Sequence, residues 1–375
     1  MPKKSGVKRW ATIFSAMLLS SILLAACDQK TPNMLAPVGP VADKEAGLFW
    51  FILIVATIVF VAVEGVLIYS IVRFRERPNS PTPRQIHGNN TIEIIWTVAP
   101  SLFLFAVLVG TIYTMFNLGN ISGQGRTIEV RVVGHQWWWE FDYLNEGIVT
   151  ADELHIPVNT VVHTTLVSNN VIHSFWVPQV FGKTDVVPGH LNDKVFSATQ
   201  TGTYRGLCTE YCGLQHAHMS FNLIVDTVDG YNNWVHNEQA AAQNPNSSAA
   251  QAGLALFKGS GGCSGCHGIV GVNLSDYYHF TSQLGGGSST GLVGPNLTHF
   301  GSRHLIAGGV LAWDPATCVV TTGSDGKPII QNESGCALYQ WLHDPQGVKP
   351  GNDMNIRQLS DTEIAELVAY LESLQ

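Results

Sequence analysis

Charged side chains are scarce in this 375-residue chain: Asp, Glu, Lys and Arg make up 13%, about half the usual ~25% of soluble domains. Basic residues are also outnumbered, with 20 Lys and Arg against 28 Asp and Glu, for a formal net charge of −8. Hydrophobic residues reach 45%. The composition therefore argues against a disordered chain, which needs low hydrophobicity and high charge, and against a nucleic-acid partner, which needs a basic surface. The length indicates two or three domains at ~150 residues each.

The charge is unevenly distributed along the chain. Residues 1–90 carry 10 Lys and Arg against 5 Asp and Glu, whereas residues 91–375 carry 10 against 23. A basic region near the membrane followed by an acidic region beyond it is typical of an exported, anchored protein.

The beginning of the chain is predicted to be a lipoprotein-type signal peptide over residues 1–26. Four basic residues precede a short apolar run at 10–24, a pattern typical of secretory signals. The run ends in Leu-Ala-Ala-Cys27, which resembles a bacterial lipobox and implies cleavage before Cys27 and lipidation of its thiol. The alternative is an ordinary signal peptidase site with an incidental cysteine. Residues 27–47 are then an exported N-terminal segment.

Two long apolar runs predict a transmembrane helical hairpin over residues 48–119. The runs cover 48–72 and 94–116, and each is long enough to cross the bilayer as a helix. The connecting loop, 73–91, carries four arginines against one glutamate, which places it in the cytoplasm by the positive-inside rule. We therefore expect a multi-pass protein of the bacterial inner membrane with its later domains on the periplasmic side.

Two carboxyl groups lie at this hairpin. Glu64 falls within the first run, and Glu93 lies at the cytoplasmic mouth of the second. Ionisable groups at membrane depth are expensive and often functional, so either residue could be a proton relay or a structural polar contact.

The exported region after residue 120 carries a cluster of soft metal ligands. Alternating hydrophobicity near 127–133, 158–167 and 220–226 predicts short β-strands of a sandwich or barrel. Two thiols, an imidazole and a thioether follow within twelve residues, and a histidine upstream could add a ligand; they are Cys208, Cys212, His216, Met219 and His173. Such a set suits copper. A disulfide or a tetrahedral zinc site is the alternative, although zinc would not recruit a thioether.

The pattern Cys-x-Glu-x-Cys-Gly-x-x-His-x-x-Met, preceded by His-Ser-Phe-Trp-Val-Pro, resembles the CuA site of cytochrome c oxidase subunit II. The resemblance covers residues 45–228 and implies a cupredoxin-like all-β barrel at 120–228 with a binuclear copper centre. The implied copper ligands are His173, Cys208, Cys212, His216, Met219 and the backbone carbonyl of Glu210.

The resemblance also implies roles for three further groups. The Glu210 side chain would reach a Mg²⁺ ion shared with the catalytic subunit. Trp137 matches the tryptophan through which electrons reach the copper, and Glu93 matches the carboxylate at the mouth of a proton channel. Asn170 stands where many relatives have an acidic residue, and His190 stands where an arginine is common, so the hydrogen bonds around the metals are expected to differ here.

A haem-attachment motif follows a predicted linker at 229–250. Cys263-Ser-Gly-Cys266-His267 has the Cys-x-x-Cys-His spacing of covalent c-type haem, with His267 as the proximal ligand. A zinc site or a redox dithiol is the alternative. Residues 251–375 contain a single methionine, Met354, on a Gly- and Pro-rich loop. It is the preferred sixth ligand; the rivals are His279, His299, His304 and His343.

The last 125 residues resemble an all-α class I cytochrome c. Ser360 and Glu363 form a predicted capping box before a final helix, and Gly294-Pro295 matches the loop whose carbonyl orients the proximal histidine. Cys318 and Cys336 are predicted to form a disulfide, because the compartment is oxidising; free cysteines are the alternative.

Together these features predict a multidomain chain: a two-helix transmembrane hairpin, a cupredoxin-like barrel and a cytochrome c domain. The expected function is subunit II of a caa-type cytochrome c oxidase, a non-catalytic subunit that passes electrons from haem c through CuA to the catalytic subunit I. The expected partners are subunit I, further oxidase subunits, the membrane, and an upstream donor (a cytochrome c or a quinol–cytochrome c reductase). The alternatives are a quinol oxidase subunit, a nitrous oxide reductase, and a copper-delivery lipoprotein or stand-alone carrier.

Overall fold

The structure is a computed structural model that describes residues 32–76, 85, 88–119, 121, 123, 125–275 and 292–375. The predicted signal peptide, Cys27, His279 and much of the predicted cytoplasmic loop lie outside the described residues.

Two long helices form the first part of the described chain: α1 (Pro40–Arg73) and α2 (Asn90–Leu118). Both are long and apolar enough to span a membrane. Proline at the first position favours the start of α1, and the Asn89 side chain caps α2 by accepting from the backbone N–H groups of Thr91 and Ile92. Most side chains along both helices are exposed in the isolated chain, as expected for surfaces that face lipid.

Helix α1 begins eight residues before the predicted span because its first turns pack on the β domain. Val38, Val41 and Ala42 are buried, and the backbone of Val38 exchanges hydrogen bonds with Gln179 and Thr199. The start of the membrane hairpin is therefore attached to the exported domain.

The β domain consists of two five-stranded sheets. Their orders are β3-β2-β1-β5-β8 and β4-β10-β9-β6-β7, with β1/β5 and β4/β10 parallel and the other pairs antiparallel. The strands are β1 (Ile128–His135), β2 (Trp138–Tyr143), β3 (Ile148–Ala151), β4 (Glu153–Pro157), β5 (Val162–Ser168), β6 (His173–Val177), β7 (Phe181–Val186), β8 (Asn192–Phe196), β9 (Gly202–Cys208) and β10 (Ser220–Asp226).

An aromatic core joins the two sheets. Trp139, Phe141, Phe175 and Phe221 are fully buried, and the rings of Phe175 and Phe221 stack with centroids 4.8 Å apart. Gly206 on β9 lies directly against the Phe221 ring, where a side chain would overlap it. This packing fixes β6 and β9, the strands that carry the candidate copper ligands.

The predicted linker differs from the structure. Residues Val228–Glu238 form helix α3, which packs on the β domain. Tyr231 is buried in the core of that domain, and the Trp234 ring stacks on His155 with centroids 4.4 Å apart. Helix α4 (Ser248–Lys258) starts soon afterwards, so irregular chain is confined to 239–247.

The prediction that the C-terminal domain is all-α is wrong. Besides α4 it contains α5 (Ala337–His343), α6 (Pro345–Val348) and α7 (Asp361–Glu372). It also contains two short hairpins: β11 (Leu305–Ile306) with β12 (Leu311–Ala312), and β13 (Val320–Thr322) with β14 (Pro328–Ile330). The β13 segment is rich in β-branched residues and is followed by a Gly- and Asp-containing turn, a combination that favours a hairpin.

Candidate copper centre and haem-attachment site

The candidate copper ligands meet at one end of the β domain. Strand β9 ends at Cys208, and β10 begins directly after Met219, so the loop between two paired strands carries Cys212, His216 and Met219. Strand β6 starts at His173 and pairs with the end of β9, where Phe175 lies opposite Cys208 and His173 lies two residues before Phe175. The sheet register therefore brings ligands 35 or more residues apart in the sequence into contact.

The candidate donor atoms lie within contact distance of one another. The Cys208 and Cys212 Sγ atoms are 3.7 Å apart and both cysteines are free thiols. His173 Nδ1 is 3.8 Å from Cys208 Sγ, and His216 Nδ1 is 3.6 Å from Cys212 Sγ. Met219 Sδ is 3.8 Å from Cys212 Sγ, which completes a set of soft donors. The thiol and imidazole donors His173, Cys208 and Cys212 lie within 4.8 Å of one another.

The two buried thiols affect each other's titration. Their mutual contact lowers the pKa of Cys208 to about 3 and raises the pKa of Cys212. Both thiols must lose their protons before they can bind a metal ion as thiolates.

His173 is held in place on all sides. Its side chain is fully buried, its Nε2 lies 3.0 Å from the Asn170 amide oxygen, and its ring meets the edge of Trp139. A side chain at Gly134 would come within 2.8 Å of its ring. Asn170, the departure noted in the sequence, therefore occupies the position of hydrogen-bond acceptor for this imidazole, a contact that orients a metal ligand.

The remaining predicted contacts at this end involve Glu210 and Trp137. The Glu210 backbone oxygen is 3.3 Å from Cys208 Sγ, and its side chain is half-buried. Trp137 Nε1 donates to the Cys212 carbonyl at 3.0 Å, as does Gln136 Nε2 at 2.7 Å. Trp137 is itself half-buried rather than open to solvent.

The haem-attachment motif follows α4 on a 3₁₀ turn at Cys263–Gly265. Cys263 is half-buried, Cys266 is exposed, and both are free thiols. His267 Nδ1 is 2.9 Å from the Pro295 carbonyl, so Nδ1–H donates there and Nε2 remains as the ring's acceptor nitrogen. Burial lowers the pKa of His267, which favours the neutral imidazole. Gly294 passes so close to the His267 ring that a Cβ would lie 2.6 Å away.

Met354 packs against the core of the C-terminal domain on the loop before α7. Of its rivals in the described part of the chain, His299 bonds the Ala240 carbonyl at 3.0 Å and His304 bonds Glu153. His343 is exposed and stacks on Tyr339.

Two further predicted features have clear positions. Glu93 lies in the first turn of α2, exposed in the isolated chain, and Glu64 lies half-buried within α1. Cys318 and Cys336 are joined by a disulfide with an S–S distance of 1.99 Å, and it connects the β13 hairpin region to the start of α5.

Family comparisons agree with this geometry. The family model for "Cytochrome C oxidase subunit II, periplasmic domain" matches residues 146–228. The model for "Cytochrome C oxidase subunit II, transmembrane domain" matches residues 32–112. Cytochrome c oxidase subunit 2 of Alkalihalophilus pseudofirmus is 32% identical over 98% of this chain and 99% of its own length. This chain belongs to the cytochrome c oxidase subunit II family.

Other subunit II proteins give similar alignments. The subunit of Bacillus sp. strain PS3 is 32% identical over 99% of both chains, and that of Bacillus subtilis is 29% identical over 98% of this chain. The crystal structure of the periplasmic domain of subunit II from Bradyrhizobium japonicum is 29% identical, covers 30% of this chain and 92% of its own, and has a TM-score of 0.29.

Family membership confirms the coarser expectations. As an oxidase subunit II, the chain is part of a haem-copper oxidase and partners with catalytic subunit I. It is membrane-anchored with a periplasmic C-terminal part, and copper is expected at the cluster around Cys208. A copper-delivery lipoprotein is not favoured. The sequence interpretation named Asn170 but not its contact with His173, and it overlooked Lys349, whose side chain bonds the Trp137 carbonyl, because a single lysine carries no motif signal.

Proposed function

We propose that this subunit II receives electrons at a covalently bound c-type haem and passes them through a binuclear CuA centre to subunit I, which reduces dioxygen to water coupled to proton translocation. When bound, the two groups supply reversible one-electron transfer with little change in the protein around them. The upstream donor is a cytochrome c or a quinol–cytochrome c reductase.

The pair of unlinked thiols at 3.7 Å carries the copper part of this proposal. Each thiol has its own imidazole neighbour, His173 or His216, so the residues present fit two copper ions that share two sulfur ligands. Met219 and the Glu210 carbonyl complete the ligand set from opposite ends of the loop. Soft thiolate and thioether donors with imidazoles select copper over harder metals.

The haem part rests on the surroundings of His267. Cys263 and Cys266 would form the two thioether links, and the Pro295 carbonyl fixes the imidazole through Nδ1. We assign Met354 as the residue that would supply the second protein ligand to the haem iron, because the rings of His299 and His304 bond the Ala240 carbonyl and Glu153. Asn352 fixes the Met354 backbone by accepting from its N–H at 2.7 Å.

We assign three further roles. Trp137, bonded to the Cys212 carbonyl, lies on the route by which electrons reach the copper. The half-buried Glu210 carboxylate is available for a Mg²⁺ ion at the interface with subunit I. Glu93, exposed at the start of α2, faces the mouth of a proton channel in that subunit. Lipidation of Cys27 is a separate proposal, and the intact mass of the mature chain tests it.

The deciding experiment is low-temperature EPR with copper and haem quantification on the intact oxidase. We expect a delocalised copper-pair signal together with one low-spin c-type haem. His216→Gln should remove the delocalised signal and leave the haem, whereas His236→Gln, at an exposed histidine on α3, should change neither. A mononuclear copper signal in the wild-type protein would contradict the copper assignment. An absence of covalent haem would reduce the proposal to copper alone.

A further inference from the structure

A buried lysine joins the C-terminal domain to the β domain that carries the candidate copper ligands, which is called the copper domain below. Lys349 is 3% exposed, and its Nζ donates to the carbonyl oxygens of Trp137 at 2.7 Å, Ala307 at 2.7 Å and His218 at 3.0 Å. An ammonium group has three donors, so these three bonds use its full capacity. Trp137 and His218 belong to the copper domain, whereas Ala307 belongs to the C-terminal domain.

The site is built for a charged group. Burying an ammonium is costly unless it is hydrogen-bonded and paired. Asp152, which is 5% exposed, attracts Lys349 and accepts from the Trp139 backbone N–H at 2.9 Å. Lys349 and Asp152 therefore bond the Trp137 carbonyl and the Trp139 N–H, the backbone groups on either side of Trp138 where the turn that presents the Trp137 ring enters β2.

The residues after Lys349 lie against the same ring. The Pro350 carbonyl accepts from the buried Gln215 side chain at 2.7 Å. Gly351 is in the left-handed region, with a φ of 82°. It lies so close to the loop between β9 and β10 that a Cβ would be 3.0 Å from Leu214 and 3.8 Å from Trp137. Met354 follows three residues later on this loop.

A second contact lies beside the first. The His304 backbone N–H donates to Glu153 at 2.7 Å, and the Ser220 N–H donates to the Gly308 carbonyl at 3.1 Å. Ala307, Gly308 and Gly309 all have positive φ values, which lets this segment follow the surface of the copper domain closely.

We propose that Lys349 is a positioning residue that locks the C-terminal domain over Trp137, so that a soluble donor meets the C-terminal domain and not Trp137. This proposal rests on the proposed haem and copper sites for its electron-transfer consequence. The locked position itself follows from the contacts between the two domains and requires neither the haem nor the copper.

The first test needs no variant. The intact oxidase is treated briefly with an amine-acylating reagent, and labelling of individual lysines is measured by mass spectrometry. Lys327 has a side chain that is 64% exposed and is the internal control. We expect Lys327 to react and Lys349 to stay unmodified. Equal labelling of the two lysines would show that the domain swings free on its linker and would overturn the proposal.

The second test uses Lys349→Met, with Lys327→Met as the matched control. After flash reduction of the haem, we expect electron transfer to copper in Lys349→Met to slow at least about tenfold, because small misplacements of reacting groups are costly. The haem and copper spectra should stay as in wild type, and peptides containing Trp137 or Ala307 should exchange amide hydrogens faster. An unchanged transfer rate and unchanged exchange would overturn the proposal. Loss of haem or copper from the wild-type oxidase would instead contradict the proposed function, because the labelling test reads docking without either group.

Discussion

Asn170 is the residue that bonds the outer nitrogen of the candidate ligand His173. Its amide oxygen lies 3.0 Å from His173 Nε2, so it orients the imidazole without adding a negative charge.

Replacing Asn170 should weaken copper binding. Asn170→Ala removes the acceptor for His173, and loss of such an outer contact typically costs roughly 10–100-fold in metal affinity. Copper retention against a competing chelator, measured on the intact oxidase, checks this expectation. Asn170→Asp keeps an acceptor and should retain copper, and Asn169→Ala, which alters the neighbouring amide that bonds His135, is the control. Equal retention by wild type and Asn170→Ala would show that the contact does not support the ligand.

The sequence predicted the candidate copper cluster better than its surroundings. Cys208, Cys212, His216 and Met219 fall within twelve residues and have a fixed spacing that one loop can satisfy, and the structure places them within contact distance. The bond between Lys349 and Trp137 joins residues 212 positions apart. No local pattern encodes it, because it depends on how two separately folded domains meet.

At the scale of elements, the crossing of α4 and α7 organises the C-terminal domain. Gly253 on α4 lies against the backbone carbonyl of Glu366 on α7, where a methyl group would overlap that carbonyl and approach Tyr370 Cβ to 2.7 Å. The rings of Phe257 and Tyr370 extend the same contact. The two helices approach as closely as their backbones allow.

Gly253→Ala should destabilise this domain, although alanine has a higher helix propensity than glycine. Alanine favours an exposed helix over glycine by about 1 kcal/mol, yet here it must push the two helices apart. We expect a lower thermal midpoint for loss of the haem absorption band. Gln251→Ala, on the exposed face of the same helix, should leave that midpoint nearly unchanged. A stabilised Gly253→Ala variant would show that the helices do not cross at this residue.

Helix α3 shows why the linker prediction failed. The prediction used the Ala-, Asn- and Ser-rich residues at the end of 229–250, and these do lie next to the irregular stretch. The first half of that range contains Tyr231 and Trp234, which pack on the β domain. Thr227 caps the helix by accepting a hydrogen bond from the Gly230 N–H. A capping threonine followed by spaced aromatic residues was a readable helix signal.

Glu238, at the end of α3, gives this element a pH dependence. Burial raises the pKa of Glu238 to about 8, against the opposing attraction of Arg303. The folded protein thus holds this proton more tightly than an unfolded chain, where the carboxyl titrates near 4.5. The contribution of Glu238 to the free energy of unfolding therefore falls as pH rises from about 4.5 to about 8.

Glu238→Gln should remove this loss of stability at high pH. We expect the variant to have a higher thermal midpoint than wild type at pH 8 and a smaller advantage at pH 5, because pH 5 lies only about half a unit above the pKa of the unfolded carboxyl and little of the loss has developed there. Asp229→Asn, an exposed carboxyl on the same helix, is the control and should give the same difference at both pH values. A difference in thermal midpoint between Glu238→Gln and wild type that is the same at both pH values would contradict the effect of burial on Glu238.

At the scale of the whole molecule, the exported part is acidic throughout. Residues 120–250 carry 5 Lys and Arg against 12 Asp and Glu, and residues 251–375 carry 5 against 10. If the C-terminal domain covers Trp137 as proposed, a donor meets the negative charge of that domain first. Complementary charge mainly raises the rate of encounter.

Reduction of the haem by a basic soluble c-type cytochrome should therefore depend strongly on salt. The Debye length falls from ~30 Å at 0.01 M to ~8 Å at 0.15 M ionic strength, so the attraction is largely screened at the higher value. We expect the second-order rate constant, measured by stopped flow on the intact oxidase, to fall at least about tenfold over this range. An acidic c-type cytochrome is the matched control, and its rate should rise as salt screens repulsion. A rate for the basic donor that is independent of salt would show that the acidic surface of residues 251–375 does not guide the donor.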